Sequence, residues 1–120
     1  MENNIIVDPK DAEENKIMAI LAYFGILVLV PLLAAKESAF ARFHANQGLL
    51  LLIAGIALSI AASILMFIVV FISYTLIFVV YGILSIASIG LFVLAIIGII
   101  NAAKGEAKEL PLIGKYTILK

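Results

Sequence analysis

The sequence predicts an all-α integral membrane protein with three transmembrane helices and one short interfacial amphipathic helix. The chain has 120 residues, of which 65% are hydrophobic and 13% are charged, and its mean hydropathy is +1.24. Residues 43–103 contain no Asp, Glu, Lys or Arg. A soluble domain of this size exposes too much surface to be covered by so little polar material. We therefore exclude a soluble globular protein, a disordered chain and a nucleic-acid-binding protein.

The first predicted span is the apolar run at residues 17–35, which follows a polar, acidic tail at residues 1–16. At about 1.5 Å per residue the run is about 28 Å long as a helix, just enough for a hydrocarbon core of about 30 Å. Gly25 and Pro31 weaken it, because proline cannot donate a helical hydrogen bond. We expect one short spanning helix, with a re-entrant hairpin as the alternative.

The predicted interfacial helix covers residues 36–46, the charged interruption between two apolar runs. Phe40, Phe43 and Gln47 share one helical face, and Lys36 and Arg42 can reach lipid headgroups. The segment is expected to continue into the second span.

The charge-free stretch would be about 92 Å long as a single helix, roughly three times the hydrocarbon thickness. It must therefore fold back, and its interior polar cluster is Ser73-Tyr74-Thr75. Breaking the stretch there predicts a second transmembrane helix at residues 47–72 and a third at residues 76–103. Residues 104–120 form a mixed tail that we expect to lie at the membrane interface. Lys104 and Lys108 lie four residues apart and can snorkel, so they join Lys36 and Arg42 as predicted interface anchors.

The distribution of Lys and Arg predicts the orientation of a multi-pass protein in the cytoplasmic (inner) membrane. Three spans would place the interfacial helix and the C-terminal tail on one side and the N-terminal tail on the other. The first side would carry Lys36, Arg42, Lys104, Lys108, Lys115 and Lys120, and the second would carry Lys10 and Lys16. The positive-inside rule then predicts a cytoplasmic C-terminus and an external N-terminus.

Small residues recur at helical spacing in the two later spans, where they allow close approach of helix backbones. The candidate packing residues are Gly55, Ser59, Ser63, Gly90, Gly98 and Ala102. The rows are consistent with packing of these spans against each other, and also with a homo-oligomer interface.

The most informative polar cluster lies at the start of the second span and contains Phe43, His44, Asn46 and Gln47. Lipid offers polar groups no partners, so these side chains must find them within the protein or in a ligand. One interpretation is that they satisfy backbone groups of residues 31–36 or of the C-terminal tail. The other is a proton-sensitive or ligand-contacting vestibule, because histidine titrates near neutral pH.

Catalysis finds no support in the sequence, because the carboxylates lie in the tails or at Glu37 and no intramembrane serine has a neighbouring base. A lone histidine without a second His, Cys or intramembrane carboxylate is a poor metal or haem ligand set. We therefore expect no enzyme activity, no metal and no cofactor. The expected partners are the lipid bilayer and either a second copy of the chain or other membrane proteins.

Four motifs together resemble a large prokaryotic membrane-protein family of unknown function. They are the apolar segment 19–25 with Pro31-Leu32, Phe43-His44-Ala45-Asn46-Gln47-Gly48, Asn101-Ala102-Ala103-Lys104-Gly105, and Leu110-Pro111-Leu112-Ile113-Gly114-Lys115. This family is related to the Tic-twenty component of chloroplast protein import and resembles the MamF-type magnetosome proteins. The resemblance implies a multispan inner-membrane protein with His44 and Gln47 as signature positions. We expect a structural or interaction subunit of a membrane complex, with a Tic-twenty-like translocation or channel component as the alternative.

Overall fold

The computed structural model describes residues 6–119, and this part of the chain is helical, without strands. Two long helices dominate the fold and three short helices and a 3-10 helix precede them. In chain order the elements are α1 (Pro9–Glu14), α2 (Lys16–Leu21), a 3-10 helix (Gly25–Val28), α3 (Leu29–Ala34), α4 (Ala39–Val69) and α5 (Tyr74–Ala103). The all-helical prediction is confirmed.

Helices α4 and α5 pack against each other and are the two helices long and apolar enough to cross a membrane among the described residues. They are joined by the turn at residues 70–73, and the Ser73 side chain begins α5 by accepting a hydrogen bond from the Thr75 N–H. The 31 residues of α4 correspond to a helix length of about 46 Å. This length is close to the thickness of a bilayer with its headgroups, which is about 40–45 Å.

The prediction of three spans is wrong, because the apolar run at residues 17–35 folds back on itself. Asp11 before the run and Ser38 after it are joined by a hydrogen bond of 2.5 Å between the Ser38 hydroxyl and the Asp11 carboxylate. Both ends of the run therefore lie at the same end of the molecule, as in the re-entrant alternative. The N-terminal and C-terminal segments consequently do not lie at opposite ends, contrary to the predicted topology.

Two residues explain why the run bends. Gly25 has φ +63°, a left-handed conformation that favours glycine, and it begins the 3-10 helix at the tip of the hairpin. Pro31 lies in the first turn of α3, where its missing N–H would have no intrahelical partner. Length and apolar composition suit a span and a hairpin equally, whereas the backbone requirements at these positions favour the hairpin.

Residues 39–46 are the first turns of α4, so no separate interfacial helix is present in the described chain. Ser38 is the N-cap of α4, and its hydroxyl accepts a hydrogen bond of 3.0 Å from the Ala41 N–H. Nothing in the sequence from Ala39 to Gly48 interrupts the helical backbone. The helix therefore continues to Val69.

Close packing is concentrated at one end of the molecule. We call residues 6–48 and 98–119 the packed half, because the buried residues of the short helices, of α4 and of α5 lie there, with the exception of Val69. We call residues 56–93 the two-helix half, because they consist of parts of α4 and α5 and the turn between them, and only Val69 among them is buried. Every charged side chain of residues 6–119 belongs to the packed half.

Candidate functional site

The predicted polar cluster lies in the first turns of α4 and is buried at the centre of the packed half. His44 and Gln47 are 0% exposed, and Phe43 and Asn46 are also buried. Gly48 follows them, and a Cβ there would overlap the backbone carbonyl of Ala22. Helix α4 therefore presents its polar side chains to the rest of the protein while the hairpin packs directly on its backbone.

Gln47 binds the C-terminal segment through both ends of its side-chain amide. Its Nε2 donates to the Gly114 carbonyl at 3.0 Å, and its Oε1 accepts from the Leu110 N–H at 2.9 Å. Gly114 approaches so closely that a Cβ there would lie 2.6 Å from the Gln47 Oε1. The amide thus holds a loop of the tail at a fixed distance from α4.

Asn46 binds the next part of the same segment in the same manner. Its Nδ2 donates to the Tyr116 carbonyl at 2.9 Å, and its Oδ1 accepts from the N–H groups of Ile118 at 2.6 Å and Leu119 at 3.0 Å. Two neighbouring amides therefore satisfy five backbone groups of residues 110–119. We call Asn46 and Gln47 the tail clamp.

His44 connects three segments of the chain. Its Nε2 lies 2.8 Å from the Glu106 carbonyl, which can only accept, so Nε2 carries the proton. In the neutral imidazole with this tautomer, Nδ1 accepts a hydrogen bond of 2.5 Å from the Tyr23 hydroxyl of the hairpin. The rings of Phe40, Phe43 and Tyr23 surround the imidazole edge to face.

The end of α5 brings Glu106 to this histidine. Gly105 has φ +74°, its N–H donates to the Ala102 carbonyl, and the Glu106 N–H donates to the Asn101 carbonyl at 2.9 Å. This is the Schellman arrangement, which ends a helix on a left-handed glycine and reverses the chain. The glycine in the predicted Asn101-Ala102-Ala103-Lys104-Gly105 motif is thus what directs the Glu106 carbonyl toward His44.

Sequence reasoning missed the pair formed by Asp11 and Ser38, which we call the acid cap. The Asp11 carboxylate accepts from the Ser38 hydroxyl, from the Asn15 side chain at 2.8 Å and from the Phe40 N–H at 3.1 Å. Desolvation raises the pKa of Asp11, but the three hydrogen bonds together hold that pKa below its ordinary value. Ser38 could have been identified as an N-cap from its place before α4, whereas Asp11 is too distant in sequence.

The predicted packing residues separate into two groups. Gly98 and Ala102 are buried in the packed half, and a Cβ on Gly98 would overlap the Tyr23 ring. Gly55 and Gly90, in contrast, have nothing within 4 Å of the position of a Cβ. The structure thus leaves open space beside these two glycines, and their role as packing residues stays a prediction.

The two serines of the same row bond within their own helix. The Ser59 hydroxyl donates to the Gly55 carbonyl and the Ser63 hydroxyl to the Ser59 carbonyl, both at 2.9 Å. A membrane helix can satisfy such hydroxyls internally, and no bond from them crosses to α5 among the described residues. An apolar groove of about 530 Å³ runs beside this row and is bordered by Tyr23, Gly55, Ser59, Leu91 and Phe92.

The predicted interface anchors, Lys36, Arg42, Lys104 and Lys108, all lie in the packed half. The Lys108 ammonium forms an ion pair of 2.9 Å with the Glu106 carboxylate, and this contact holds the pKa of Glu106 below its ordinary value. Residues 6–119 contain no group of three or more His, Asp or Glu side chains arranged to hold a metal ion. Within the same range, every buried side-chain nitrogen or oxygen has a hydrogen-bond partner.

The chain is similar to curated magnetosome proteins over most of its length. It is 29% identical to magnetosome protein MamF of Paramagnetospirillum magneticum, over 86% of this chain and 82% of the relative. It is 28% identical to MamF of Magnetospirillum gryphiswaldense, over 99% of both chains. It is also 30% identical to magnetosome protein MmsF of Paramagnetospirillum magneticum, over 81% of this chain and 79% of the relative.

No solved structure matches the chain. These relatives lend no support to the expected relation with the Tic-twenty component. The sequence profile of the magnetosome magnetite crystal formation protein family, MamF/MmsF, matches residues 14–117. Because this match includes α2 to α5, the polar cluster and most of the clamped tail, the chain belongs to that family.

Proposed function

We propose that this chain is a structural protein of a magnetosome membrane that contributes to magnetite crystal formation. Family membership supports a role in magnetite crystal formation, and the curated relatives are named as magnetosome proteins. The two apolar helices, which are long enough to cross a membrane, support a location in the magnetosome membrane. The proposed role is non-catalytic.

The observation that carries the structural role is the destination of the polar side chains. His44, Asn46 and Gln47 bond to Tyr23 and to the backbone of the C-terminal segment. Side chains used in this way hold segments together, since their hydrogen-bonding atoms are occupied within the protein. No contact among the described residues favours the translocation or channel alternative.

The most direct test of this function is genetic complementation in a magnetosome-forming bacterium that lacks its own MamF and MmsF. The chain carries a fluorescent fusion to report its location, and electron microscopy measures the size of the magnetite crystals. We expect magnetosome localisation and a change of crystal size toward that of the parent strain. Localised protein with unchanged crystals would contradict the proposal.

A matched pair of variants tests whether the clamp is needed for that function. Gln47→Leu removes both hydrogen bonds to the tail, whereas Ser63→Ala removes one hydrogen bond within α4 on an exposed face. We expect loss of complementation by the first variant and retention by the second.

The proposed orientation places the packed half in the cytoplasm. All described Lys and Arg side chains lie in that half, and the turn at residues 70–73 carries none. The positive-inside rule assigns the side rich in Lys and Arg to the cytoplasm. This orientation keeps the C-terminal segment cytoplasmic and moves the N-terminal segment to the same side. Because the chain has no cysteine, a single introduced cysteine reports the orientation without background labelling of the protein.

The orientation test uses Glu13→Cys and Thr75→Cys, expressed separately in the cytoplasmic membrane of a Gram-negative host. An impermeant thiol reagent added from outside should label Thr75→Cys and leave Glu13→Cys unlabelled. The reverse pattern would contradict the proposed orientation.

The proposed structural role also involves a membrane partner, either a second copy or another membrane protein. The groove beside Gly55 and Ser59 supports this, because small residues leave room for an additional helix. Crosslinking in native membranes followed by mass measurement should detect a complex. Recovery of monomer alone would contradict this part of the proposal.

A further inference from the structure

The molecule is wide at one end and narrow at the other. In the packed half the hairpin, α4, α5 and the clamped tail lie side by side, whereas the two-helix half contains α4 and α5 alone. An α-helix with its side chains is about 10–12 Å across, so the two arms of the hairpin roughly double the cross-section where they are present.

Contacts of the hairpin fix how far it extends along the long helices. Ala22 lies against Gly48 of α4, and the Tyr23 ring lies against Gly98 of α5. Gly48 is about 14 Å from the start of α4 at 1.5 Å per residue. The tip at Gly25 follows three residues later and borders the groove beside Gly48 and Gly55, so the hairpin reaches about the middle of α4.

The charges and the length of α4 place this tip within a bilayer. Helix α4 matches the thickness of a bilayer with headgroups, and its first residues lie beside the charged segments. The hairpin therefore passes the headgroup layer and ends inside one leaflet, because the hydrocarbon core is about 30 Å thick. The other leaflet meets only two helices.

The outer face of the hairpin is suited to lipid. Ile17, Ile26 and Leu33 are exposed, and residues 17–35 contain no charged side chain. Such a surface is unfavourable in water, and contact with acyl chains removes it from water. The apolar hairpin thus occupies space between the lipids of one leaflet.

We propose that the chain is a membrane wedge that accumulates in curved bilayers whose convex surface faces the packed half. Bending a bilayer spreads the headgroups and outer acyl chains of the convex leaflet, and an insertion confined to that leaflet fills the added area. Amphipathic helices that insert about 5–10 Å at the headgroup boundary depend on curvature for the same reason. This inference rests on the shape, the charge distribution and the apolar surface of the chain, and it is independent of a role in magnetite formation.

The first test measures curvature preference with the purified full chain. The protein is labelled with a fluorophore and reconstituted into a size-heterogeneous population of phosphatidylcholine and phosphatidylglycerol vesicles that carry a second dye. We expect a higher protein density per membrane area, roughly twofold or more, on vesicles about 50 nm across than on vesicles about 400 nm across, because insertion into one leaflet is sensitive to curvature. Equal density at both diameters would overturn the proposal.

The second test measures orientation in the same vesicles with single cysteines at the two ends. In small vesicles Glu13→Cys should react with an impermeant thiol reagent in most molecules, and Thr75→Cys in few. This bias should weaken in large vesicles. A random orientation in small vesicles would also overturn the proposal.

A matched pair of variants assigns the effect to the hairpin. Ile26→Lys places a charge at the tip, where the side chain is 66% exposed, and Ile6→Lys makes the same change outside the hairpin at a side chain that is 99% exposed. We expect Ile26→Lys to lower the enrichment on small vesicles and Ile6→Lys to leave it unchanged. Full enrichment with Ile26→Lys would contradict the hairpin as the source of the wedge, and the wild-type measurement does not depend on how this variant folds.

Discussion

The two halves of the molecule differ in packing although the same two apolar helices run through both. At the start of α4, His44 and Gln47 are buried and bonded to other segments, while at its end Ile64 and Phe67 are exposed. The difference arises from polar side chains and glycines that bring other segments onto α4. Apolar composition therefore places these helices in a membrane, whereas a few polar and small residues decide where the protein has a core.

The largest expected effect comes from the close backbone contact in the packed half. Gly48→Ala adds a Cβ that would overlap the Ala22 carbonyl. Because the carbonyl oxygen and carbon belong to the backbone of the hairpin, the hairpin must move. We expect a loss of about 3 kcal/mol in the free energy of unfolding, at the upper end of typical overpacking costs.

Gly55→Ala is the matched control for that variant, in the same helix but with nothing within 4 Å of the added Cβ. Unfolding in mixed detergent micelles should show little change for Gly55→Ala, within about 0.5 kcal/mol. Equal effects of the two substitutions would remove the distinction between the halves.

Opening the tail clamp should have the next largest effect. Gln47→Leu keeps the side-chain volume approximately but removes the amide that bonds to the Leu110 N–H and the Gly114 carbonyl. We expect a loss of about 2 kcal/mol, since each buried unsatisfied group costs about 1–3 kcal/mol and the tail can regain water by detaching. Hydrogen exchange should show faster exchange confined to residues 106–119, and unchanged protection there would contradict the clamp.

A smaller effect is expected from the link between the hairpin and His44. Tyr23→Phe retains the ring that packs on Gly98 but removes the hydroxyl that donates to the His44 Nδ1. Loss of this hydrogen bond should cost about 1 kcal/mol. Thermal unfolding in detergent measures it, with Tyr81→Phe on the exposed face of α5 as the control that should not change.

The smallest effect is an acid dependence of stability from the acid cap. The pKa of Asp11 in the folded chain lies below its ordinary value of 3.8, so the unfolded chain takes up the proton first as pH falls. The stabilisation is therefore complete above the ordinary pKa and is lost as pH falls through the folded pKa. Limited proteolysis of residues 6–38 should accelerate below about pH 4.

Two variants separate this acid dependence from general effects of pH. Asp11→Asn should flatten the profile, because the neutral amide no longer titrates. Glu14→Gln changes an exposed carboxylate in the same short helix, outside the cap, and should preserve the profile. An unchanged profile in Asp11→Asn would assign the acid sensitivity to other groups.

Much of the membrane architecture follows from the sequence because it depends on length and charge. The charge-free stretch had to fold back, and the turn lies at residues 70–73, next to the predicted Ser73-Tyr74-Thr75. The cluster around His44 and Gln47 could be recognised as important because lipid offers polar groups no partners. Its partners in the tail could not be identified, since they are backbone groups that any residue type provides.

The hairpin was only the alternative prediction, because the length of the run also satisfies the requirement for a span. Its decisive features are the left-handed backbone at Gly25 and the hydrogen bond between Asp11 and Ser38. The first is typical of many glycines that do not end helices, and the second joins residues with no local sequence pattern. Both become informative only when the two ends of the run are known to meet.

The meeting of these two ends is the central claim, and crosslinking tests it most directly. Glu14 and Glu37 are exposed, line one cleft beside the acid cap and leave the cap itself intact when replaced. In the full chain with Glu14→Cys and Glu37→Cys, a short bismaleimide should join the two cysteines within one molecule in intact membranes. Three spans would place them on opposite sides of the bilayer, about 30 Å or more apart. Failure to crosslink, while each single variant reacts with the reagent, would contradict the hairpin and the wedge built on it.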